Sequence, residues 1–274
     1  MGYYVEVEPN VKVYVEDLNP KADTTIVFLH GWPGSHELFE YQFDYLARKG
    51  YRCIGIDQRG FGKSDRPIDG YDYDRLSDDV KCVIESLKLK NVTLVGHSTG
   101  GAIAIRYMSR HDEYNVSKLV LCAAAAPSLI KRPYFPYGLK REAVESIIAE
   151  TFKDRPKMLD DFGKTFFYKK ISRPFSQWFL NLGLEAAGWS TASIANTWLD
   201  EEGLFEDLRR IYVKTLILQG VHDKVVLPEL SEEQNKLIRD SRLIKFQKSG
   251  HGLFYDEKDK FNKELMCFIE EDWY

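Results

Sequence analysis

Six short apolar runs separated by helix-like stretches constrain this chain of 274 residues more than any other feature. The first is Thr25-Ile26-Val27-Phe28-Leu29, and similar runs stand at Arg52 to Ile56, Val92 to Val95, Lys118 to Ala123, Thr215 to Leu218 and Leu243 to Phe246. A run without polar alternation suits a strand buried on both faces. Between the runs, Tyr73 to Leu87 sets Leu76, Val80, Val83, Ile84 and Leu87 on one stripe, and Gly101 to Arg110 follows a strand directly. Buried strands alternating with amphipathic helices predict a parallel sheet with right-handed crossovers. The N-terminal texture differs. Tyr3 to Asp17 alternates around Val5, Val7, Val11, Val13 and Val15 with Pro9-Asn10 between, which predicts an antiparallel hairpin with one solvated face.

One interval breaks the alternation. From Pro127 to Gly203 there is no strand pattern, only helical stretches punctuated by Pro133, Pro136, Pro156 and Pro174. The expected organisation is a core of residues 1–126 and 204–274, with a helical cap at 127–203 inserted after the sixth strand and the sheet resuming at Leu208 to Leu218. The interval is rich in aromatics, among them Phe152, Phe162, Phe166, Phe167, Trp178, Phe179, Trp189 and Trp198. Large apolar side chains mostly build core, so these are expected chiefly to hold the helices together. Trp178 and Phe179 are expected to line an apolar acyl pocket, because ligands of open α/β sheets bind at the carboxyl ends of the strands and this interval leaves the sheet from such an end.

Composition excludes several classes of function. A hydrophobic fraction of 44% and a charged fraction of 29% are those of an ordinary globular enzyme. The net charge of −4, without a basic block, argues against a nucleic-acid partner. No apolar run is long enough to span a bilayer, and Met1 to Glu8 carries no basic segment followed by an apolar one, so neither membrane nor secretory leader is expected. Gly2 does not open a myristoylation signal, since Glu6 stands where Ser or Thr is needed. Cys53, Cys82, Cys122 and Cys267 are far apart, three of them in apolar segments. They read as buried reduced thiols of a cytoplasmic protein, with no disulfide framework and no metal site.

The segment that carries chemistry is Val92-Thr93-Leu94-Val95-Gly96-His97-Ser98-Thr99-Gly100-Gly101, in which a buried strand ends in G-x-S-x-G and a helix begins at once. Such spacing holds a nucleophilic serine on a strained strand-to-helix turn. The helix N-terminus then points N–H groups and its positive dipole end at any anion formed there. Some 70 residues earlier another strand ends in Phe28-Leu29-His30-Gly31-Trp32-Pro33-Gly34-Ser35. Acyl transfer forms an oxyanion that needs two donors fixed in advance. The backbone N–H of Thr99 can supply one and that of Trp32 the other, Pro33 having none to give.

Ser98 needs a base, and the base an orienting acid. Of the six histidines, His30, His36, His97 and His111 precede or crowd the nucleophile, and the His97 side chain is expected to point away from the site. His222 sits one residue from the acid candidate. His251 lies in a glycine-flanked loop, Lys248-Ser249-Gly250-His251-Gly252, after the last strand and in the chain order Ser…Asp…His. Asp223 ends the buried strand Leu216 to Gly220 on the same sheet edge. The conspicuous Asp57-Gln58-Arg59-Gly60-Phe61-Gly62-Lys63-Ser64 lacks the spacing of a phosphate loop. Its Asp57 and Arg59 are expected to hold a loop by charge-assisted bonds.

These segments together resemble the α/β-hydrolase superfamily along nearly the whole chain. Within it the chain looks most like the esterases grouped with cofactor-free haloperoxidases (perhydrolases), whose elbow reads G-H-S-x-G-G and whose oxyanion loop reads H-G-W. The resemblance implies an α/β-hydrolase fold with a mostly parallel eight-stranded sheet and a helical cap, a triad of Ser98, Asp223 and His251, and oxyanion donors Trp32 and Thr99. Ser98 stands where haloalkane dehalogenases and epoxide hydrolases carry Asp, which argues against both of those chemistries. The expected function is ester hydrolysis through an acyl-enzyme on Ser98, without cofactor, on a small-molecule ester or lactone. The same triad would serve a lactonase or a perhydrolase, and a slow-turnover ligand receptor on this scaffold is the reading from another class. A homo-oligomer is compatible with the sequence.

Overall fold

A computed structural model describes residues 1–271. The chain begins with a hairpin of β1 (Gly2–Glu8) and β2 (Val11–Leu18), followed by β3 (Thr25–Leu29), α1 (Glu40–Arg48), β4 (Arg52–Ile56), α2 (Tyr73–Ser86), β5 (Val92–His97), α3 (Thr99–Arg110) and β6 (Val116–Cys122). Three helices come next, α4 (Arg141–Phe166), α5 (Arg173–Glu185) and α6 (Gly188–Asp200). Then α7 (Leu204–Arg209), β7 (Lys214–Gly220), α8 (Pro228–Leu237), β8 (Ser241–Phe246), α9 (Leu253–Asp256) and α10 (Lys258–Glu270) follow among the described residues.

The eight strands form one sheet in the order β1-β2-β4-β3-β5-β6-β7-β8. β1 and β2 run antiparallel to each other, β2 runs antiparallel to β4, and every other pairing is parallel. Burial follows the reading of the sequence except at β8, an edge strand in which only Phe246 is buried. β3 and β5 are buried at every position, whereas β1 and β2 alternate. Helices on both faces supply the two halves of the core. The order places β3, β5 and β6 side by side, and β7 beyond β6. The C-terminal ends of β3, β5 and β7 therefore open on one edge, and the loops bearing Trp32, Ser98 and Asp223 leave from it.

The stretch between β6 and β7 is helical, as expected, but the sheet resumes later than the sequence suggested. Leu208 lies in the short α7, because Leu204 and Leu208 are buried at helical spacing, and β7 starts only at Lys214. α4 is broken in the middle. Asp154 takes φ −155°, ψ 72°, outside the helical region. Pro156 cannot donate an intrahelical bond, and the Asp154 carboxylate instead accepts the Lys157 N–H at 3.2 Å, capping the second half. The aromatics of this stretch divide: Phe166, Phe179 and Trp198 are buried, while Phe152 and Trp189 are exposed. The cysteines divide too. Cys53 and Cys122 are buried, Cys82 is half-buried and Cys267 is exposed, the last because it lies on the outward face of α10 opposite Phe261, Leu265 and Phe268. Among the described residues no helix is long and apolar enough to cross a membrane.

Candidate active site

Ser98 stands alone between β5 and α3, with φ 54° and ψ −121°. A non-glycine residue is strained there and persists only where its surroundings over-determine it. They do. The Ser98 N–H donates to the Cys122 carbonyl at 3.0 Å, and the Ser98 carbonyl accepts from Gly101 and Ala125, each at 2.9 Å. The flanking glycines let α3 press against the sheet. A Cβ on Gly96 would stand 2.5 Å from the Gly100 carbonyl oxygen, and one on Gly100 would stand 2.3 Å from the Leu29 carbonyl oxygen.

The His251 Nδ1 lies 2.8 Å from Asp223 Oδ2, and both side chains are fully buried. A carboxylate only accepts, so Nδ1 carries the proton and Nε2 presents its lone pair. That Nε2 is buried and engages no other described residue. The acid is itself held in place: Asp223 Oδ1 accepts the N–H groups of Val225 and Val226 at 2.8 and 2.9 Å, and Gln219 Nε2 donates to Oδ2 at 3.2 Å. Gln219, one strand position ahead of Gly220, carried no motif that would have marked it in the sequence.

His97 departs from expectation. Its side chain does not point away but packs behind His251, ring centroids 4.5 Å apart, and its Nε2 donates to the His251 carbonyl at 3.1 Å. β5 delivers it there because residues alternate faces along a strand, so His97 falls on the side opposite the outward-turned Ser98 backbone. Burial holds the His97 imidazole well below the ordinary histidine range, hence neutral, and the adjacent His251 pushes in the same direction. The Phe166 ring stands edge-on to His251 at 4.9 Å and 84°.

The His251 loop is tied to the helical segment by two glycines and one carboxylate. Gly252 N–H donates to the Phe166 carbonyl at 3.0 Å, and a Cβ on Gly252 would meet the Phe167 ring at 2.5 Å. The buried Asp256 accepts the N–H groups of Gly250 at 2.8 Å, Tyr168 at 2.9 Å and Lys169 at 3.0 Å. Asp256 escaped sequence reasoning, since an Asp four residues into an amphipathic helix region is indistinguishable from a surface residue.

Trp32 and Thr99 both border Ser98. Among the described residues neither backbone N–H has a protein acceptor, so both are free to donate to a ligand oxygen. The Trp32 indole donates to the Thr191 carbonyl at 3.0 Å and its ring packs edge-on against Phe162 and Trp198, which anchors the loop to the helical segment. A cavity of about 150 Å³ opens on Ser98 and is walled mainly by Trp32, Leu129, Ile147, Phe162, Trp198 and Val225. A second, of about 300 Å³, shares Trp32, Ile147 and Phe162 with it.

Trp178 and Phe179 do not line the Ser98 cavity. Phe179 packs on Phe166 at 4.6 Å and Phe167 at 5.1 Å, and Trp178 packs on Phe175 at 5.0 Å. Phe179 borders only a crevice of about 10 Å³, room for one water at most. The aromatics nearest the nucleophile come instead from the second half of α4 and from α6, a choice that depends on how α4 bends at Asp154. The remaining histidines lie off the cavity: His222 stacks on Tyr168 at 4.1 Å, and His111 meets Asp78 at 3.0 Å. His36 Nδ1 donates to Asp57 at 2.7 Å. Arg59, fully buried, is paired with Asp79 at 2.6 Å and with Glu8 at 2.7 Å. Asp57 and Arg59 thus hold the loop by charge-assisted bonds as expected, tying the segment after β4 to the 3₁₀ turn at His36–Phe39, to α2 and to β1.

Known proteins are similar to this chain in sequence and fold. The α/β hydrolase fold family matches residues 24–258 of this chain. The AB hydrolase superfamily protein YisY of Bacillus subtilis is 49% identical over 98% of this chain and 99% of its own length. The bifunctional esterase/perhydrolase DCH of Acinetobacter calcoaceticus is 32% identical over 98% of this chain and 99% of its own length. Among solved structures, an esterase (EaEST) from Exiguobacterium antarcticum superposes with a TM-score of 0.96 at 44% identity, covering 99% of this chain and all of that one. The sheet order, the strained serine between strand and helix, and these matches have one reading: the chain is a member of the α/β-hydrolase family.

Proposed function

We propose that the protein is a carboxylic ester hydrolase working through an acyl-enzyme on Ser98. The observation that carries this is the His251–Asp223 pair at 2.8 Å, with the free Nε2 of His251 buried and Ser98 at the floor of an apolar cavity. His251 takes the Ser98 hydroxyl proton as the oxygen attacks the ester carbonyl, then gives it to the leaving alcohol. It later takes a proton from the water that releases the acid. Asp223 keeps the tautomer and stabilises the imidazolium. The N–H groups of Trp32 and Thr99, with the N-terminus of α3 behind them, receive the oxyanion. The stretch 127–203 acts as a cap that keeps water from the acyl-enzyme. An apolar cavity of about 150 Å³ holds a benzene-sized guest, which favours short or ring-sized acyl groups over long chains.

The name of the Acinetobacter relative, esterase and perhydrolase together, supports a second acceptor for the same acyl-enzyme, hydrogen peroxide in place of water. A panel of p-nitrophenyl esters from acetate to octanoate, run beside lactones and beside acetate with hydrogen peroxide, tests both. Fast multiple turnover on short esters is expected. Binding without turnover on every member of the panel would leave the scaffold as a ligand receptor and overturn the hydrolase reading.

A further inference from the structure

One charged side chain lines the Ser98 cavity, and it is Lys224. Its backbone sits in the turn whose Val225 and Val226 N–H groups bind Asp223 Oδ1, so the root of the side chain is held as firmly as the acid itself. The side chain is exposed and forms no ion pair among the described residues. The acid of the triad and the charges lining the adjoining cavity are already paired. Asp223 faces His251, and in the adjoining cavity Glu150 pairs with Lys153 and Asp161 with Lys157 and Lys164. Of the other polar groups on the cavity wall, the Thr165 hydroxyl donates to the Phe162 carbonyl at 2.8 Å and the Trp32 indole to the Thr191 carbonyl at 3.0 Å, while the Trp198 indole N–H is buried without a hydrogen-bond partner among the described residues. A carboxylate entering this cavity would therefore find a single cation among the described residues, at the exposed rim of otherwise apolar walls, where a charge-assisted bond adds to apolar contact. A lysine suits ligands of more than one length, since its ammonium is a point charge on a flexible stem.

We propose that the site takes short esters bearing a carboxylate, of the half-ester class, with Lys224 as the residue that receives the charge. This rests on the ester hydrolase reading for the bond broken, but the anion site can be tested without turnover.

The experiment compares kcat/KM for monomethyl glutarate and its neutral counterpart dimethyl glutarate in the wild type, K224Q and K224E. Beside it, calorimetric titration of monomethyl glutarate into S98A and S98A/K224Q reads binding alone. The half-ester to diester ratio is expected to fall about fivefold in K224Q, the scale of one partly desolvated charge pair, and further in K224E. The wild-type ratio is expected to shrink in about 0.5 M salt, which screens exposed charges. The half-ester is expected to bind S98A more tightly than S98A/K224Q. If the ratio and the affinity are the same with and without Lys224, while esters are still hydrolysed, this proposal falls alone. If no ester is hydrolysed but the half-ester binds S98A through Lys224, the hydrolase reading falls and the anion site stands.

Discussion

Asp256 and Gly250 are joined by a 2.8 Å hydrogen bond from the Gly250 N–H to the buried carboxylate, one residue before His251. The same carboxylate binds the N–H groups of Tyr168 and Lys169 just beyond α4, so the base loop and the helical segment share one anchor. Asp256→Asn keeps the shape but turns an N–H₂ group toward donors. Leaving buried donors unsatisfied costs about 1–3 kcal/mol, so the melting temperature should drop. With its loop loosened, His251 should also lose rate, mostly in kcat. A variant that melts earlier yet turns over at the wild-type rate would show that the anchor serves stability alone.

Ser98→Ala should abolish ester turnover with little change in melting temperature, since it removes one oxygen and leaves the backbone bonds of the turn in place. Loss of such a nucleophile costs roughly 10⁴–10⁶ in rate. A fluorophosphonate probe should label the wild type only. Label retained in the variant would identify a different serine.

Asp223→Asn should keep the turn at Val225 and Val226 but set the wrong His251 tautomer, lowering kcat by about 10⁴. An undiminished rate would transfer the acid role to another carboxylate.

Phe162 and Trp178 offer a paired comparison. Phe162 borders both the Ser98 cavity and its neighbour, whereas Trp178 borders neither. Phe162→Ala should merge the two spaces and raise activity on octanoate relative to acetate severalfold, about 1–2 kcal/mol of apolar contact being at stake. Trp178→Ala should lower the melting temperature and leave that ratio alone. A ratio that moves for Trp178→Ala and not for Phe162→Ala would place the acyl group on the other side of α5.

The pH dependence of stability carries a signature of His97. Burial lowers its folded pKa, so its share of stability is whole above the unfolded value of about 6.5 and drains away as pH falls from there toward the folded value. Each such histidine contributes a slope approaching about 1.4 kcal/mol per pH unit in that window. His97→Asn should therefore flatten the fall in melting temperature between about pH 6.5 and pH 5. Parallel wild-type and variant curves would mean that His97 takes a proton in the folded state as readily as in the unfolded one.

Sequence alone determined the architecture and the chemistry-bearing loops. Continuous apolar runs such as Thr25–Leu29 can satisfy their backbones and bury both faces only inside a parallel sheet, and β3 forms there at those bounds. The spacing of the glycines around Ser98 was legible as an elbow motif, although the contacts that require Gly100, Gly250 and Gly252 come from Leu29, Phe166 and Phe167 far along the chain. What only the tertiary structure decided depends on how distant segments meet. Nothing in the spacing of Asp256 shows that three N–H groups from two loops will converge on it, and nothing in Lys224 shows that it borders the Ser98 cavity. The aromatics make the same point. Trp178 and Phe162 are alike in composition and setting, but the break at Asp154 and the path of α4 turn Phe162 toward Ser98, while packing on Phe175 takes Trp178 away from it. Burial on a helix is set by its neighbours, and a chain read one window at a time does not contain them.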